Sequence, residues 1–288
     1  MLPDLDFGVQ AHYFSFRQSV ALDDRTFYIF MGLLSTAVPF FLFNTYLHFI
    51  WNVGVFQKYL VEPNLTKYPD AALIRNCIFR ACITHLLVGP LLAYILYPFI
   101  ISSNPGYING PLPTCYVFLA QYLGCTLIED TLFYWTHRML HHDSVYRHFH
   151  KEHHKFKRTI GFAQSYCHPV EFVFSNLIPT VSGPAILGMH VLPSAAWMTM
   201  RILESVDAHC GYRFPWSPFH MFAFQGGVER HDFHHSHNVG SYGSWTKFWD
   251  WAMGTDKAFN EFMMKKKGCV KKEHSIFTKE ESIFKGID

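Results

Sequence analysis

Charged residues are scarce in this chain of 288 residues: Asp, Glu, Lys and Arg make up only 16%, whereas hydrophobic residues make up 50%. No Ser/Gly/Pro-rich linker, internal repeat or low-complexity stretch divides it. The seven cysteines show no C-x-x-C pair and no disulfide-like spacing, which indicates reduced, buried thiols. The N-terminal 25 residues lack the basic start and cleavage site of a signal peptide. The composition therefore favours a membrane protein.

Signatures of nucleotide and haem binding are also missing. No Gly-rich dinucleotide fingerprint and no haem-attachment motif occurs, so any reducing electrons must come from a separate protein. Basic residues cluster at 138–158 and in the C-terminal tail, but no nucleic-acid recognition motif accompanies them. Such clusters beside apolar runs more often mark the cytoplasmic side of a membrane, so we expect no nucleic-acid partner.

Eight histidines in three short boxes are the most informative feature present. The boxes are HRMLH with His137 and His141, HKEHH with His150, His153 and His154, and HDFHH with His231, His234 and His235. Residues i and i+4 share one face of a helix, so each box is expected to place two or three imidazoles on one helical stripe. Eight imidazoles exceed the needs of one tetrahedral ion, and imidazole suits iron, copper and zinc. The spacing therefore predicts two neighbouring metal ions.

Three further residues are candidates for this site. Asp130 stands seven residues before His137, only about 20° around a helix, and a carboxylate in an apolar helix normally marks function. We expect it to orient a histidine ring, to act as an occasional ligand, or to pair with an arginine in the bundle. His168 and His209 are additional candidate ligands, which spacing alone does not separate from structural histidines.

The donor set favours oxygen chemistry over hydrolysis. Zinc hydrolysis needs three ligands and an open water position, whereas attack on an unactivated C–H bond by O₂ requires a redox metal. Two irons can share the electrons of O–O cleavage, and soluble di-iron proteins do this with carboxylates from a helical bundle. We expect iron in the working protein and zinc in some purified samples, because zinc binds such sites more tightly than Fe(II).

Four apolar runs predict an all-α fold, an integral membrane bundle with a cytosolic histidine-rich di-metal cap. The runs lie near 27–51, 81–102, 111–136 and 172–200, and a membrane-spanning helix needs about 20 residues. Pro179, Pro184 and Pro193 interrupt the fourth run, which should bend or form a hairpin within 172–209. The positive-inside rule then places all three boxes in the cytosol, together with the sequon at Asn64, which should stay unmodified.

The H-x₃-H, H-x₂-HH and H-x₂-HH set resembles the fatty acid hydroxylase and sterol desaturase superfamily of membrane di-iron oxygenases, and within it the methylsterol monooxygenases. The similarity covers about 115–260. Besides the boxes, the segments that carry it are 124–130, 166–171, 201–212, 230–235 and 249–256.

This resemblance implies stepwise oxidation of a sterol C4-methyl group through alcohol and aldehyde to carboxylate. It also implies two irons, O₂, and electrons from NAD(P)H through cytochrome b5, in a multi-pass protein of the endoplasmic reticulum membrane. The family's ligands map onto the eight box histidines and strengthen His168 and His209 as candidates. The chain would comprise an N-terminal region with membrane spans, 1–110, and a fatty acid hydroxylase-like catalytic domain, 111–288. The sterol would enter from the bilayer lipids. Aromatic residues that are candidates for lining its path are Phe133, Tyr134, Trp135, Phe172 and Phe174, although contact with the bilayer or packing in the core is the simpler role for most of them.

Two alternatives remain open at this point. The same metal centre would serve a sterol side-chain hydroxylase, a sterol C5-desaturase, or a fatty-acyl or sphingolipid hydroxylase. A non-catalytic metal-binding membrane protein is the more distant alternative. Transporters usually hold their ligands near the bilayer midplane, whereas these boxes lie in basic segments outside the apolar runs.

Overall fold

The computed structural model describes residues 8–62, 69–221 and 224–268, and its regular elements in these ranges are all helices. Apart from two isolated bridge pairs, these ranges contain no β-structure, which confirms the all-α class. The six cysteines within them are free thiols. The sequon at Asn64 and the last lysines of the basic tail lie outside the described residues.

The α-helices follow one another along the chain, with short 3₁₀ and π segments between some of them. They are α1 (Val9–Ser19), α2 (Asp24–Val53), α3 (Ala71–Ile83), α4 (Gly89–Ser103), α5 (Cys115–Leu140), α6 (Asp143–Phe149), α7 (Pro169–Glu171), α8 (Ile178–Ile186), α9 (Val191–His209), α10 (Val228–His237) and α11 (Phe248–Met253). Residues 257–268 are helical as well.

Prolines alter the helices locally but do not determine the position of the hairpin turn. The π-helical segments Thr84–Val88 and Phe172–Leu177 each lie just before a proline, Pro90 and Pro179, which cannot donate a backbone hydrogen bond. The fourth apolar run does form a hairpin, with α8 and α9 as its arms. Its turn lies at 187–190, beyond Pro184 and before Pro193, which stands in the first turn of α9, where its missing N–H is tolerated.

Long-range hydrogen bonds define two ends of the bundle. At one end, the Tyr13 hydroxyl donates to the Ile108 carbonyl over 2.7 Å and the Val191 amide donates to the Tyr107 carbonyl over 2.7 Å. At the other end, the segment after α2 pairs with the segment after α9, where the Arg213 amide donates to the Tyr59 carbonyl over 2.7 Å. The first end is called the turn end here. The second is called the histidine end, because α5 and α9 both end there in histidines.

Within the described ranges, two helical stretches are long and apolar enough to cross a membrane, Asp24–Val53 and Ala71–Ser103. The most apolar part of the second has no buried residue, and Leu87 and Phe99 are 64% and 68% exposed. On α5, Leu119, Leu123 and Leu127 form a further exposed apolar stripe at four-residue spacing. Apolar faces of this extent favour association with a lipid bilayer.

Tight packing fixes α5 against α8 and α9 inside this apolar shell. Gly183 faces Cys125 so closely that an added Cβ would lie 2.7 Å from the cysteine sulfur. The fully buried Trp197 donates its indole N–H to the Thr180 carbonyl over 2.9 Å, which joins α9 to α8. These contacts hold α5 and α9 in register, so that their histidines meet at the histidine end.

Candidate metal centre

Nine histidines lie in two groups at the histidine end. The five-histidine group contains His137, His141, His150, His154 and His234, and the four-histidine group contains His153, His209, His231 and His235. Within each group, one ligand nitrogen per residue lies within 4.8 Å of all the others. Eight of the nine side chains are buried, and His141 is partly exposed. The structure therefore brings together all eight box histidines and adds His209 from α9.

The two groups divide the second and third boxes between them, so two imidazoles of each triplet share one group and the third joins the other. His231 and His235 belong to the four-histidine group, whereas His234 belongs to the five-histidine group. In α10, residues i and i+4 lie about 40° apart, while i+3 lies about 100° from i+4 and faces the neighbouring group.

The second box divides in the same way, although it is not part of an α-helix. His150 caps the C-terminus of α6, and His153 begins a 3₁₀ turn, His153–Lys155. His150 and His154 join the five-histidine group and His153 the other. The helical expectation is therefore wrong for this box, because α6 ends before its histidines begin.

Backbone carbonyls fix the tautomer of five of these histidines. The Nδ1 atoms that donate to carbonyl oxygens are those of His137 to Tyr242 (3.0 Å), His234 to Gly240 (2.7 Å), His153 to Tyr166 (3.2 Å), His209 to Ser205 (2.7 Å) and His235 to Phe156 (3.0 Å). A carbonyl only accepts, so Nδ1 carries the proton and the Nε2 lone pair stays available. His150 donates Nδ1–H to the Glu171 carboxylate over 2.8 Å.

The available Nε2 atoms converge within each group. In the four-histidine group, His231 Nε2 lies 2.8 Å from His209 Nε2 and 3.1 Å from His235 Nε2. In the five-histidine group, His141 and His234 approach to 3.1 Å, as do His150 and His154. Nitrogens bound to one ion at about 2.0–2.1 Å would lie about 2.9 Å apart at a right angle and about 3.4 Å apart at the tetrahedral angle. Facing lone pairs at these separations fit a cation between them, so both groups are able to bind metal.

Burial keeps these histidines in the form that binds metal. Removal from water lowers the pKa of His153 to about 4, and burial together with neighbouring histidines lowers the pKa values of His231, His234 and His235 well below the usual range. They are therefore neutral near pH 7, as a metal ligand must be.

Two carboxylates hold the loop that supplies carbonyls to the five-histidine group. Asp250 accepts from the amides of Tyr242 and Gly243 over 2.8 and 2.9 Å. Asp130 accepts from the Thr246 amide over 2.9 Å and from its hydroxyl over 2.6 Å. This loop contains the carbonyls of Gly240 and Tyr242, so both carboxylates act on His234 and His137 through the backbone.

Asp130 thus contacts no histidine ring among the described residues. It precedes His137 by about 10 Å along the helix axis, which its short side chain does not bridge. The arginine partner expected for Asp130 is instead shared by Glu129 and Glu204: Arg201 Nε donates to Glu129 over 2.6 Å and Nη1 to Glu204 over 2.7 Å.

His168 lies in neither histidine group. It is the N-cap of α7, where its Nδ1 accepts from the Val170 amide over 3.1 Å. Its assignment as a ligand stays a prediction that this placement does not favour.

Sequence reasoning assigned no role to Glu171 or Asp250. Both lie in segments that carry the family resemblance, 166–171 and 249–256, so a signal was present. What was missing is the contact itself, because Glu171 follows His150 by 21 residues and reaches it only through the intervening loop.

An apolar cavity of about 200 Å³ runs through the bundle toward this centre. Asn104 and Tyr107 line it at the turn end, and Arg201 and Ser205 line it at the other. A smaller cavity of about 30 Å³ is lined by Arg201 and Ser205 again, and by His209 and His231 of the four-histidine group. Of the five aromatic residues that are candidates for lining a substrate path, Phe172 lines the first cavity and Phe133 the second. Tyr134 is fully buried, and Trp135 and Phe174 are 44% and 50% exposed.

Comparisons with known proteins identify a matching family and named relatives. Residues 122–255 match the family model described as fatty acid hydroxylase. The chain is 35% identical over 236 residues to methylsterol monooxygenase 2-2 of Arabidopsis thaliana, covering 81% of this chain and 87% of that protein. It is 36% identical over 214 residues to very-long-chain aldehyde decarbonylase GL1-8 of Oryza sativa subsp. japonica, covering 73% and 77%. No solved structure matches.

Proposed function

Since the chain belongs to the fatty acid hydroxylase family, we propose that it is a membrane methylsterol monooxygenase. It would oxidise the C4-methyl group of sterol precursors through alcohol and aldehyde to carboxylate. The observation that carries this proposal is the pair of histidine groups with converging Nε2 atoms at the end of an apolar cavity.

Each histidine group would hold one iron, with the eight box histidines and His209 as ligands. Bound iron would supply the redox chemistry that allows O₂ to attack an unactivated C–H bond. The protein's own contribution is to fix the ligands: carbonyls and Glu171 hold the Nδ1 atoms, so the Nε2 atoms need little rearrangement. Asp130 and Asp250 would keep the supporting loop in place.

The bundle would sit in the endoplasmic reticulum membrane as a multi-pass protein. Besides the two stretches that meet the length and hydropathy of a span, the exposed leucines of α5 and the α8–α9 hairpin would also lie in the bilayer. The histidine end would face the cytosol, where its basic residues meet cytochrome b5 or a similar carrier of electrons from NAD(P)H. Residues 111–288 would form the catalytic domain.

Aldehyde decarbonylation is the second candidate, because relatives with that name match the chain at similar identity. The methylsterol relative aligns over more of this chain, 81% against 73%, which favours the sterol. Both reactions need an apolar cavity beside a histidine-rich metal centre, so product analysis has to separate them.

The test is complementation in cells that lack their own C4-methyl oxidase, with sterols profiled by mass spectrometry. Wild-type protein should remove 4,4-dimethyl precursors, and His153→Ala should leave them in place. His148→Ala is the matched control, since His148 lies outside both groups and bonds to Arg147. Persistence of the precursors with wild-type protein and a supplied redox partner, alongside consumption of long-chain aldehydes, would transfer the assignment to the decarbonylases.

A further inference from the structure

Three residues on one face of α9 connect the apolar cavity with the four-histidine group. Arg201, Ser205 and His209 follow one another at four-residue spacing, so their side chains form one stripe with about 5–6 Å between successive Cβ atoms. Arg201 and Ser205 line both cavities, and His209 lines the smaller one. The stripe thus runs from the apolar space directly to the candidate metal centre.

Arg201 and Ser205 keep unused hydrogen-bond donors at this junction. Arg201 is 5% exposed; its Nε and Nη1 bond to Glu129 and Glu204, whereas Nη2 has no partner among the described residues. Ser205 is 8% exposed; its carbonyl accepts from His209 Nδ1, and its hydroxyl has no hydrogen-bond partner in the described part of the chain. Both residues line the two cavities, so an acceptor atom of a bound ligand can reach these donors.

We infer that Arg201 and Ser205 bind an oxygen atom of the substrate and so position the carbon that is oxidised. This inference rests on the proposed function and names the group that is recognised. That group is a hydroxyl on the ring carbon next to the one that bears the oxidised methyl group. A 3-hydroxysterol carries its hydroxyl on the carbon beside C4. With that oxygen held one helical turn from His209, the C4-methyl group is directed to the four-histidine group, and the sterol's apolar remainder extends into the cavity.

The same arrangement excludes substrates that lack this oxygen. A site built to hydrogen-bond a hydroxyl leaves its own buried polar groups unpaired when a deoxy analogue binds. We therefore expect selection by an oxygen on the carbon beside the one that bears the reacting methyl group, whereas the long apolar cavity tolerates differences in the rest of the lipid.

The experiment measures binding of four radiolabelled lipids to the purified, iron-loaded protein in detergent. The probes are a 4,4-dimethyl-3-hydroxysterol with its 3-deoxy analogue, and octadecanal with octadecane. Ser205→Ala should weaken binding of the 3-hydroxysterol about tenfold, as expected for loss of one hydrogen bond, and leave the 3-deoxysterol unchanged. Ser205→Thr, which keeps the hydroxyl, should restore binding.

Ser35→Ala is the matched control, because the buried Ser35 lines the same cavity while its hydroxyl donates to the Gly32 carbonyl over 3.2 Å. It should leave all four affinities unchanged. Iron content should also stay unchanged in Ser205→Ala, since His209 bonds to the backbone carbonyl of Ser205 and not to its side chain.

The outcomes separate this inference from the proposed function. Equal binding of the 3-hydroxy and 3-deoxysterol by wild-type protein, or an equal effect of Ser205→Ala on both, overturns the oxygen site while the sterol assignment stands. Dependence on Ser205 that appears only with octadecanal retains the oxygen site and overturns the sterol assignment.

Discussion

Helix α9 has a buried histidine at each end, and the two use their ring nitrogens differently. His190 at the turn end engages both: Nδ1 accepts from the Leu192 amide over 3.2 Å, and Nε2 donates to the Ile108 carbonyl over 3.1 Å. His209 at the histidine end donates Nδ1–H to the Ser205 carbonyl, and its Nε2 faces other histidine nitrogens. Both side chains are buried, so burial does not separate a structural histidine from a candidate ligand. The difference is that His190 uses both ring nitrogens in hydrogen bonds to the backbone, whereas Nε2 of His209 faces other histidine nitrogens.

The largest loss of activity is expected from substitution of His209, the candidate ligand at the histidine end of α9. His209→Ala should reduce turnover by more than about 100-fold, because loss of a direct ligand should exceed the 10–100-fold cost of losing an outer partner. It should also lower the metal content, measured by inductively coupled plasma mass spectrometry. Retained activity with full metal content would remove His209 from the ligand set.

Acidification of metal-stripped protein is expected to have the next largest effect. The pKa of His153 is about 4 in the folded protein and about 6.5 in an unfolded chain, so between these values the unfolded state binds more protons. The contribution of neutral His153 to the free energy of unfolding is therefore fully present above about pH 6.5 and is lost as the pH falls toward 4. The unfolding temperature should fall over this window, and His153→Gln should make the decline shallower; a flat profile would contradict burial of neutral histidines.

Glu171→Gln should sharpen the contrast between the two histidine groups. The Glu171 carboxylate contacts His150, which belongs to the five-histidine group. The metal affinity of that group should therefore fall about 10–100-fold, while the metal affinity of the four-histidine group is unaffected. Competition with a chelator measures both affinities. Glu152→Gln is the control, since Glu152 pairs with Arg80 outside both groups, and equal loss from both groups would show a general structural role.

A smaller effect is expected from Asp130→Asn, which keeps one acceptor oxygen for Thr246 but loses the charge. Because Asp130 acts through the loop, activity should fall by only a few-fold, together with looser metal binding in the five-histidine group. An enzyme with unchanged activity and metal binding would leave Asp130 a purely structural role.

The smallest effect on activity is expected at His190. His190→Ala removes an N-cap and two hydrogen bonds, so it should lower stability by about 1–2 kcal/mol in denaturant unfolding. Turnover per folded molecule should remain at the wild-type level. Loss of metal in this variant would contradict the distinction between the two ends of α9.

Local spacing made the box histidines predictable, but their grouping depends on distant contacts. His137, His150 and His231 are recognised from residues within five positions, whereas their division into groups requires α5, α10 and the segment after α6 to meet. His209 was separable from His168 only in the structure, because each is a single histidine at the end of a helical segment.

The hairpin illustrates the same limit for the fold. Pro179, Pro184 and Pro193 indicated that the fourth run bends, yet the turn contains none of them. Its position is set by side chains remote in sequence: Asn104 donates to the Gly188 and Met189 carbonyls, and Gln121 donates to the Leu187 carbonyl. The prolines predict that the chain turns within this run, whereas contacts with residues remote in sequence determine the position of the turn.

The carbonyl supports of the histidines also affect how this chain tolerates substitution. Every amino acid supplies a carbonyl, so the residues at 156, 166, 205 and 242 can be exchanged without deleting the hydrogen bonds that orient the rings. Gly240 is different: its φ is 61° and its Cα faces the Thr255 carbonyl, so a side chain there would displace the support of His234. Alanine scanning would therefore overlook most of the ring supports and reveal the one at Gly240.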